Sequence, residues 1–215
     1  MTDYLSEILA RKRRENTRRR RHVAAMGYAE RAPAPERAER GIHALRRPGG
    51  QLPSVMAEVK FRSPSAGQIR PGAPGEGVRV ALGYERGGAA VVSVRADGPG
   101  FGGSPLLVRR VAEAVEVPVL YTGFVLDEVQ VDLAFAVGAS LVLLLVRALS
   151  DSELGELIAK IRTLGMEPVV EAANAEEVDR AVAAGATIVG VNARDLGTIH
   201  VDNSAAQDCV SRIPP

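Results

Sequence analysis

The chain has 215 residues, 46% of them hydrophobic, and can therefore bury a sizeable core in one large domain or two small ones. A net charge of +1 excludes a global attraction to nucleic acid or anionic membranes. The lone Cys209 excludes a disulfide framework, and three scattered histidines make a metal site unexpected. The longest apolar run, 141–146, is too short to cross a bilayer. We expect a cytoplasmic protein without a signal peptide.

The N-terminal region is strongly basic. Residues 1–22 predict a helix that carries Arg11-Lys12-Arg13-Arg14 and Arg18-Arg19-Arg20-Arg21-His22. This helix is either a phosphate-binding arm or, as we favour, a solvated helix that covers one end of the domain. Residues 31–53 are rich in Pro and Gly and predict a linker with a short helix at 38–45. We therefore assign an extension and linker to 1–53 and a (β/α) barrel domain to 54–215.

From Val55 onward, short runs of Val, Leu and Ala alternate with amphipathic segments. Strands are predicted at 55–61, 90–95, 117–121, 140–146, 167–172 and 187–192. Helices are predicted at 76–87, 104–115, 127–137, 151–164 and 175–184. Strands that are apolar on both faces and are each followed by a helix indicate parallel β/α units.

Polar residues fall at the carboxyl ends of several different predicted strands. They are Glu58, Lys60, Ser93, Arg95, Thr122, Glu171, Asn192 and Arg194. In an open doubly wound sheet such residues concentrate at one switch point, whereas a ring of them is typical of a barrel. No Gly-x-Gly-x-x-Gly motif opens the first helix of the predicted β/α units, so the sequence does not support a dinucleotide-binding site.

Four of these residues carry the predicted chemistry. Glu58 and Lys60 are two positions apart, so both project to one face of the first strand, as a reacting pair or as an ordinary ion pair. Glu171 ends a buried strand, where a carboxylate needs a partner or a function. With Asn192, these residues offer a cation, an acid/base group and an amide donor for carbonyl chemistry. The alternative is a satisfied polar network that closes the barrel, and we favour chemistry.

Several motifs together carry a resemblance. They are Ala57-Glu58-Val59-Lys60, Ser63-Pro64-Ser65, Phe101-Gly102-Gly103-Ser104, Val117-Pro118-Val119-Leu120, Val142-Leu143-Leu144-Leu145-Val146, Val170-Glu171 and Gly190-Val191-Asn192-Ala193-Arg194-Asp195-Leu196. In this order and spacing, from about residue 54 to 215, the chain resembles the indole-3-glycerol phosphate synthase family of (β/α)8 lyases of tryptophan biosynthesis. The N-terminal helix is similar to the extra helix that precedes the family's barrel.

The resemblance implies a reaction that needs no cofactor. The family closes the indole ring of 1-(2-carboxyphenylamino)-1-deoxyribulose 5-phosphate, a small phosphorylated anthranilate–ribulose substrate, with loss of carbon dioxide and water. Matching catalytic positions are Glu58, Lys60, Glu171 and Asn192. The resemblance places Lys60 beside the substrate carboxylate or the ketone oxygen and makes Glu171 a proton donor or acceptor. It gives Glu58 and Asn192 the task of holding hydroxyls and orienting Lys60.

Five more positions match substrate-binding residues of the family: Ser63, Phe101, Phe124, Leu143 and Arg194. The resemblance puts Ser63 in the mobile first loop. The two Phe residues and Leu143 line an apolar slot for the anthranilate ring, and Arg194 supports Glu58 or Asn192 electrostatically.

Two departures from the family's pattern matter. After the third strand the family usually has Arg-Lys-Asp-Phe, whose Lys is its chief general acid, whereas this chain has Tyr121-Thr122-Gly123-Phe124. A general acid is worth roughly 10²–10⁴ in rate, so we expect weak activity that Thr122→Lys raises. The sequence also ends at Pro215, where the family continues into its seventh and eighth strands. We therefore expect a barrel of about six strands with open edges, which is a fragment, is completed by a partner, or has another task.

Two alternative functions stay open. One is a non-catalytic interaction module, in which the open sheet edge and the Arg-rich helix bind a protein partner, a second copy or, less favoured, nucleic acid. The other is a different phosphosugar barrel enzyme, such as an isomerase of histidine or tryptophan synthesis. Those isomerases rely on paired Asp or Cys/Asp residues at the strand ends, which this chain lacks.

Overall fold

The structure, a computed structural model, describes residues 4–26, 36–46, 52–64, 66–73, 75–193 and 203–213. Within these residues, six parallel strands form one sheet in which sequence neighbours pair side by side. They are β1 (Met56–Val59), β4 (Val91–Arg95), β5 (Val119–Thr122), β6 (Leu141–Leu145), β7 (Glu167–Ala172) and β8 (Val189–Val191). Two short antiparallel strands, β2 (Arg62–Ser63) and β3 (Gly67–Gln68), form a hairpin after β1.

Helices connect the strands of the parallel sheet. The described helices are α1 (Tyr4–Met26), α2 (Glu36–Leu45), α3 (Glu76–Arg86), α4 (Pro105–Ala112), α5 (Glu128–Ala136), α6 (Asp151–Thr163), α7 (Ala175–Ala183) and α8 (Asn203–Arg212). Sequential parallel strands that alternate with helices are the topology of a (β/α) barrel, which confirms the predicted fold class. Among the described strands, β1 and β8 each pair with a single neighbour in this sheet, so the predicted open edges are present there.

The central strands are buried on both faces. Every residue of β6, from Leu141 to Leu145, is buried, and so is every residue of β5. Such strands read as continuous apolar runs, because helices cover the outer face while the barrel interior covers the inner face. This is why continuous apolar runs in the sequence were enough to predict these strands.

The helix ends are fixed by side-chain caps and glycines. Ser150 and Glu153 form a capping box at the start of α6, and Ser104 accepts the N–H of Leu107 at the start of α4, as its position after two glycines predicts. Gly138 and Gly165 end helices with φ of 90° and 79°, a left-handed conformation that only glycine adopts at low cost.

The basic helix α1 lies on the carboxyl side of the parallel sheet. Its Lys12 is almost fully buried and forms an ion pair with Asp97, which follows the end of β4. One turn on, Asn16 donates to Gln130 of α5 with a distance of 2.7 Å. This placement agrees with a helix that covers one end of the domain, and it removes Lys12 from any phosphate-binding arm. None of the described helices has the length and apolar character of a membrane span.

Three elements were not predicted as such. The β2–β3 hairpin lies where a simple Ser-Pro-Ser turn was expected, and Val146–Ala148 form one turn of 3-10 helix after β6. The helix α8 extends over a segment that was expected only to be helix-like, and it buries Cys209, which packs against the core as predicted. The division of the chain at residue 53 stays a prediction.

Candidate active site

The register of the parallel strands places one set of side chains on the inner face at the carboxyl ends. Glu58 lies opposite Ser93, Arg95 opposite Thr122, and Leu145 opposite Glu171. Registered residues of neighbouring parallel strands point to the same face, and so do residues two apart on one strand. Among the described members of the predicted ring, the register therefore places Glu58, Ser93, Arg95, Thr122 and Glu171 on one face at this end of the sheet.

Glu58 and Lys60 interact directly at the end of β1. The Lys60 Nζ donates to Glu58 Oε2, and their side chains are 30% and 31% exposed, respectively. The pair thus lies at the solvent-accessible mouth rather than in the core. The spacing of two residues predicted this contact, because both side chains leave the same face of the strand.

Glu171 and Asn192 form the second pair, at the ends of β7 and β8. The Asn192 Nδ2 donates to Glu171 Oε1 with a distance of 2.9 Å. Burial raises the pKa of the Glu171 carboxyl, while the hydrogen bond from Asn192 opposes that rise. A carboxyl with a raised pKa holds a proton closer to neutral pH, as a group that must both give and accept protons requires.

Electrostatic effects on Glu171 connect the two pairs. The charges of Arg95 and Arg147 lower its pKa, and the carboxylate of Glu58 raises it. The strand register independently places Glu58, Arg95 and Glu171 on the same face at the carboxyl ends of β1, β4 and β7. Arg147 is itself held by an ion pair to Glu177, 3.2 Å between Nε and Oε1. The structure therefore brings the four predicted catalytic side chains to one mouth.

Two aromatic rings form a wall beside these charged groups. The ring centroids of Phe101 and Phe124 are 5.8 Å apart, with the planes tilted by 49°. Both side chains are buried. Leu143 is two residues before Leu145 on β6, so it lies on the inner face one layer below Glu171. That these three residues line a slot for the anthranilate ring stays a prediction.

Thr122 has a structural partner. Its side chain is buried, 5% exposed, and its hydroxyl shares a hydrogen bond with the Ser93 hydroxyl on the neighbouring strand. Thr122 therefore ties β4 to β5 below the mouth. It is not placed as an exposed proton donor, which is consistent with the departure from the family's pattern.

One predicted binding residue, Ser63, lies in the hairpin that follows β1. Its Oγ accepts the N–H of Ala66 with a distance of 3.0 Å. Arg194 lies outside the described residues. In the described part of the chain, no group of three or more His, Cys, Asp or Glu residues is arranged to hold a metal ion.

Sequence reasoning missed two charged residues of the mouth, Arg147 and Asp97, and it named Arg95 only as a polar residue at a strand end. Arg95 and Arg147 act on Glu171, and Asp97 accepts the N–H of Phe124 with a distance of 3.2 Å while it pairs with Lys12. The available signal was their position just after predicted strands. That signal identified Arg95 as a strand-end residue without indicating its aromatic neighbours.

The fold and this cluster define an enzyme of the (β/α)-barrel class, with acid–base groups at the carboxyl ends of its strands. The family model for indole-3-glycerol phosphate synthase matches residues 5–215. The chain belongs to the indole-3-glycerol phosphate synthase family, which confirms the resemblance.

Individual relatives support this membership. An indole-3-glycerol phosphate synthase from Syntrophobacter fumaroxidans is 38% identical over the whole chain and 80% of its own length. Relatives of the same name from Mycobacteroides abscessus and Micrococcus luteus are 44% and 43% identical, over 80% and 92% of this chain and 60% and 74% of their own lengths. Among solved structures, the N-acetylmannosamine-6-phosphate 2-epimerase from Clostridium perfringens has a TM-score of 0.53 at 13% identity, over 74% of this chain and 72% of its own. That likeness shows the fold alone.

Proposed function

We propose that this chain catalyses the indole-3-glycerol phosphate synthase reaction on 1-(2-carboxyphenylamino)-1-deoxyribulose 5-phosphate. The observation that carries the proposal is the meeting of Glu58, Lys60, Glu171 and Asn192 at one mouth in a member of this family. A non-catalytic role gains no support from α1, because its Lys12 and Asn16 are used in packing.

The reaction sets definite demands on the site. The ring carbon that bears the carboxylate attacks the ketone carbon, and the ketone oxygen must take up a proton. Carbon dioxide then leaves, which restores the aromatic ring. Finally a hydroxyl leaves as water while the adjacent methylene carbon gives up a proton. No net oxidation occurs, so acid–base groups and fixed charges suffice without a cofactor.

Lys60 and Glu58 meet the first demand in the proposed mechanism. The Lys60 ammonium stabilises the negative charge that develops on the ketone oxygen and can donate a proton to it. Glu58 accepts a hydrogen bond from this ammonium, which fixes the position of the Lys60 side chain. The pair lies at the accessible mouth, so substrate can reach it.

Glu171 and Asn192 meet the second demand. The raised pKa of Glu171 suits it to protonate the departing hydroxyl and then to accept a proton from the methylene carbon. Asn192 holds one carboxyl oxygen with its amide, which fixes the orientation of Glu171. The roles of these residues, of Ser63 and of Arg194, and the expected cytoplasmic location, stay predictions.

Turnover of the purified protein tests the proposal directly. We expect indole-3-glycerol phosphate to form slowly, because Thr122 occupies the position of the family's general acid and such a group is worth roughly 10²–10⁴ in rate. The chain has no tryptophan, so the fluorescence of the new indole ring is observed against a low background.

Two variants and a control make the assay decisive. Lys60→Met and Glu171→Gln are each expected to lower kcat by about 10²-fold or more. Arg109→Met changes an exposed residue of α4 that pairs with Glu113, and it is expected to leave kcat unchanged. If wild-type protein forms no more product than Lys60→Met, the proposed activity is wrong and an interaction role becomes the better hypothesis.

A further inference from the structure

Arg95 lies at the mouth and has no role in the proposed mechanism. It is the last residue of β4 and faces Thr122 across the strand register. Its Cζ lies 4.0 Å from the ring centroid of Phe101 and 5.3 Å from that of Phe124. A guanidinium at these distances interacts favourably with the faces of the two rings. Arg95 is therefore held in place by the aromatic wall.

The charge of Arg95 has no ion-pair partner among the described residues. No described carboxylate lies within 4.0 Å of its guanidinium, and its buried Nε has no hydrogen-bond partner in that part of the chain. Glu171 feels the positive charge, since Arg95 lowers its pKa, yet Glu171 takes its hydrogen bond from Asn192. A partly buried cation without an anion costs free energy, and an anionic ligand would remove that cost.

The chemistry of the guanidinium selects the kind of ligand. Arginine does not give up its proton near neutral pH, so Arg95 cannot act as the missing general acid. It presents a planar fork of N–H donors that fits a carboxylate, and stacking on a ring leaves the edge of the fork open. With two phenylalanines beside it, the site fits a flat aromatic ring that carries a carboxylate.

Resting on the proposed function, we propose that Arg95 binds the carboxylate of the substrate's aminobenzoate ring, with that ring lying against the wall formed by Phe101 and Phe124. This assignment decides between the two positions that the resemblance allows for Lys60. With the carboxylate on Arg95, the Lys60 ammonium is left to the ketone oxygen. Arg95 is thus the residue that makes the site specific for an aromatic acid.

Binding of two small probes tests the assignment without requiring turnover. The probes are 2-aminobenzoate and its neutral isostere 2-aminobenzamide, titrated by calorimetry against the whole chain. Hydrogen bonds to a charged group are worth about 1.5–3 kcal/mol, so wild-type protein is expected to prefer the acid by roughly 10- to 100-fold. In Arg95→Leu the preference is expected to fall to about one.

Three further variants separate recognition from structural damage. Arg95→Lys keeps the charge and the long side chain but loses the fork, and it is expected to keep a reduced preference. Lys60→Met and the surface control Arg109→Met are expected to keep the full preference. The preference is the ratio of the affinities for 2-aminobenzoate and 2-aminobenzamide in the same variant. A smaller fraction of folded protein lowers both affinities alike, so poor folding alone does not produce the loss of preference expected for Arg95→Leu.

Two results would overturn the inference. One is a wild-type protein that binds the acid no better than the amide. The other is a preference that survives in Arg95→Leu but is lost in Lys60→Met, which would place the carboxylate on Lys60. The inference and the proposed reaction fail separately. A ratio that depends on Arg95 without product formation refutes only the reaction, and product formation with a ratio independent of Arg95 refutes only the inference.

Discussion

The ion pair between Lys12 and Asp97 predicts an unusually large effect of one N-terminal substitution. The side chains are 4% and 3% exposed, and they join α1 to the loop that follows β4. Replacing Lys12 by Met removes the cation and leaves a buried carboxylate whose other oxygen holds the N–H of Phe124. The substitution therefore strands a negative charge beside the proposed aromatic wall.

The magnitude follows from the burial of both partners. Breaking a buried ion pair by removing one partner costs about 3–5 kcal/mol, because the remaining charge is uncompensated. In a chain of this length, 1 kcal/mol shifts the midpoint of thermal unfolding by about 2–4 °C. Lys12→Met is therefore expected to lower that midpoint by roughly 6–20 °C.

Thermal unfolding followed by circular dichroism measures this effect, and Arg13→Met is the matched control. Arg13 is the next residue of α1, is 59% exposed, and lies 3.7 Å from Glu153. An exposed pair of this kind contributes about 0–1 kcal/mol, so the control is expected to shift the midpoint by no more than about 4 °C. Adding Asp97→Asn to Lys12→Met removes the stranded charge and is expected to restore part of the loss.

Equal midpoints for Lys12→Met and Arg13→Met would refute this reasoning. So would a double variant that is less stable than Lys12→Met alone, since it would show that the lone carboxylate is not the source of the cost.

Substitutions at four other positions give further predictions for activity and stability. The sequence alone predicts that Thr122→Lys raises activity, but the structure pairs Thr122 with Arg95 across the strand register, so the single substitution is expected to give little gain in kcat. Neighbouring strands are ~4.8 Å apart, and a second cation at that distance costs about 3 kcal/mol at an effective dielectric constant near 20. The double variant Thr122→Lys with Arg95→Leu is expected to raise kcat about 10²-fold while KM rises. An equal rise in kcat from Thr122→Lys alone would contradict this expectation. Glu171→Gln is expected to unfold at a higher temperature than wild type at pH 7, and at the same temperature below the ordinary glutamate pKa. Because the pKa of Glu171 is raised in the folded state, wild-type stability falls as pH rises from the ordinary glutamate pKa through the raised value, and it stays lower at higher pH. The unfolding midpoint of Glu171→Gln at pH 7 is expected to exceed that of wild type by about 2–4 °C for each kcal/mol of ionisation penalty removed, read from unfolding curves at both pH values. Gly103→Ala would place a Cβ 1.9 Å from the Arg95 carbonyl oxygen and is expected to cost about 1–3 kcal/mol or more in urea unfolding. Gly83→Ala meets nothing within 4 Å on α3 and is expected to stabilise by about 0.5–1 kcal/mol.

The alternation of strands and helices was accessible from sequence because burial dictates it. The predicted strand 167–172 coincides with β7, and the predicted helix 151–164 exceeds α6 by one residue. Continuous apolar runs and helix-ending glycines are both visible in short stretches of sequence. The apolar runs are especially clear here because strands of a parallel sheet are buried on both faces. The β2–β3 hairpin escaped prediction because strands of two residues are too short to show any periodicity.

The site was predictable only in part, because only contacts within a single strand are visible in the sequence. The contact between Glu58 and Lys60 follows from the geometry of a single strand. The stacking of Arg95 depends on two rings that come from different loops, and no local pattern in the sequence brings them together. The pairing of Lys12 with Asp97 is equally hidden, because α1 and β4 are far apart along the chain. Such contacts exist only once the fold is formed.

The shared hydroxyl hydrogen bond between Ser93 and Thr122 bears on laboratory evolution of this chain. A lysine at position 122 must displace that bond and then lie next to a guanidinium, so its benefit stays concealed while Arg95 is present. Removing Arg95 first sacrifices the proposed hold on the aromatic acid. A search that accepts only single improving steps would discard both changes, and a library that randomises positions 93, 95 and 122 together is the route past that barrier.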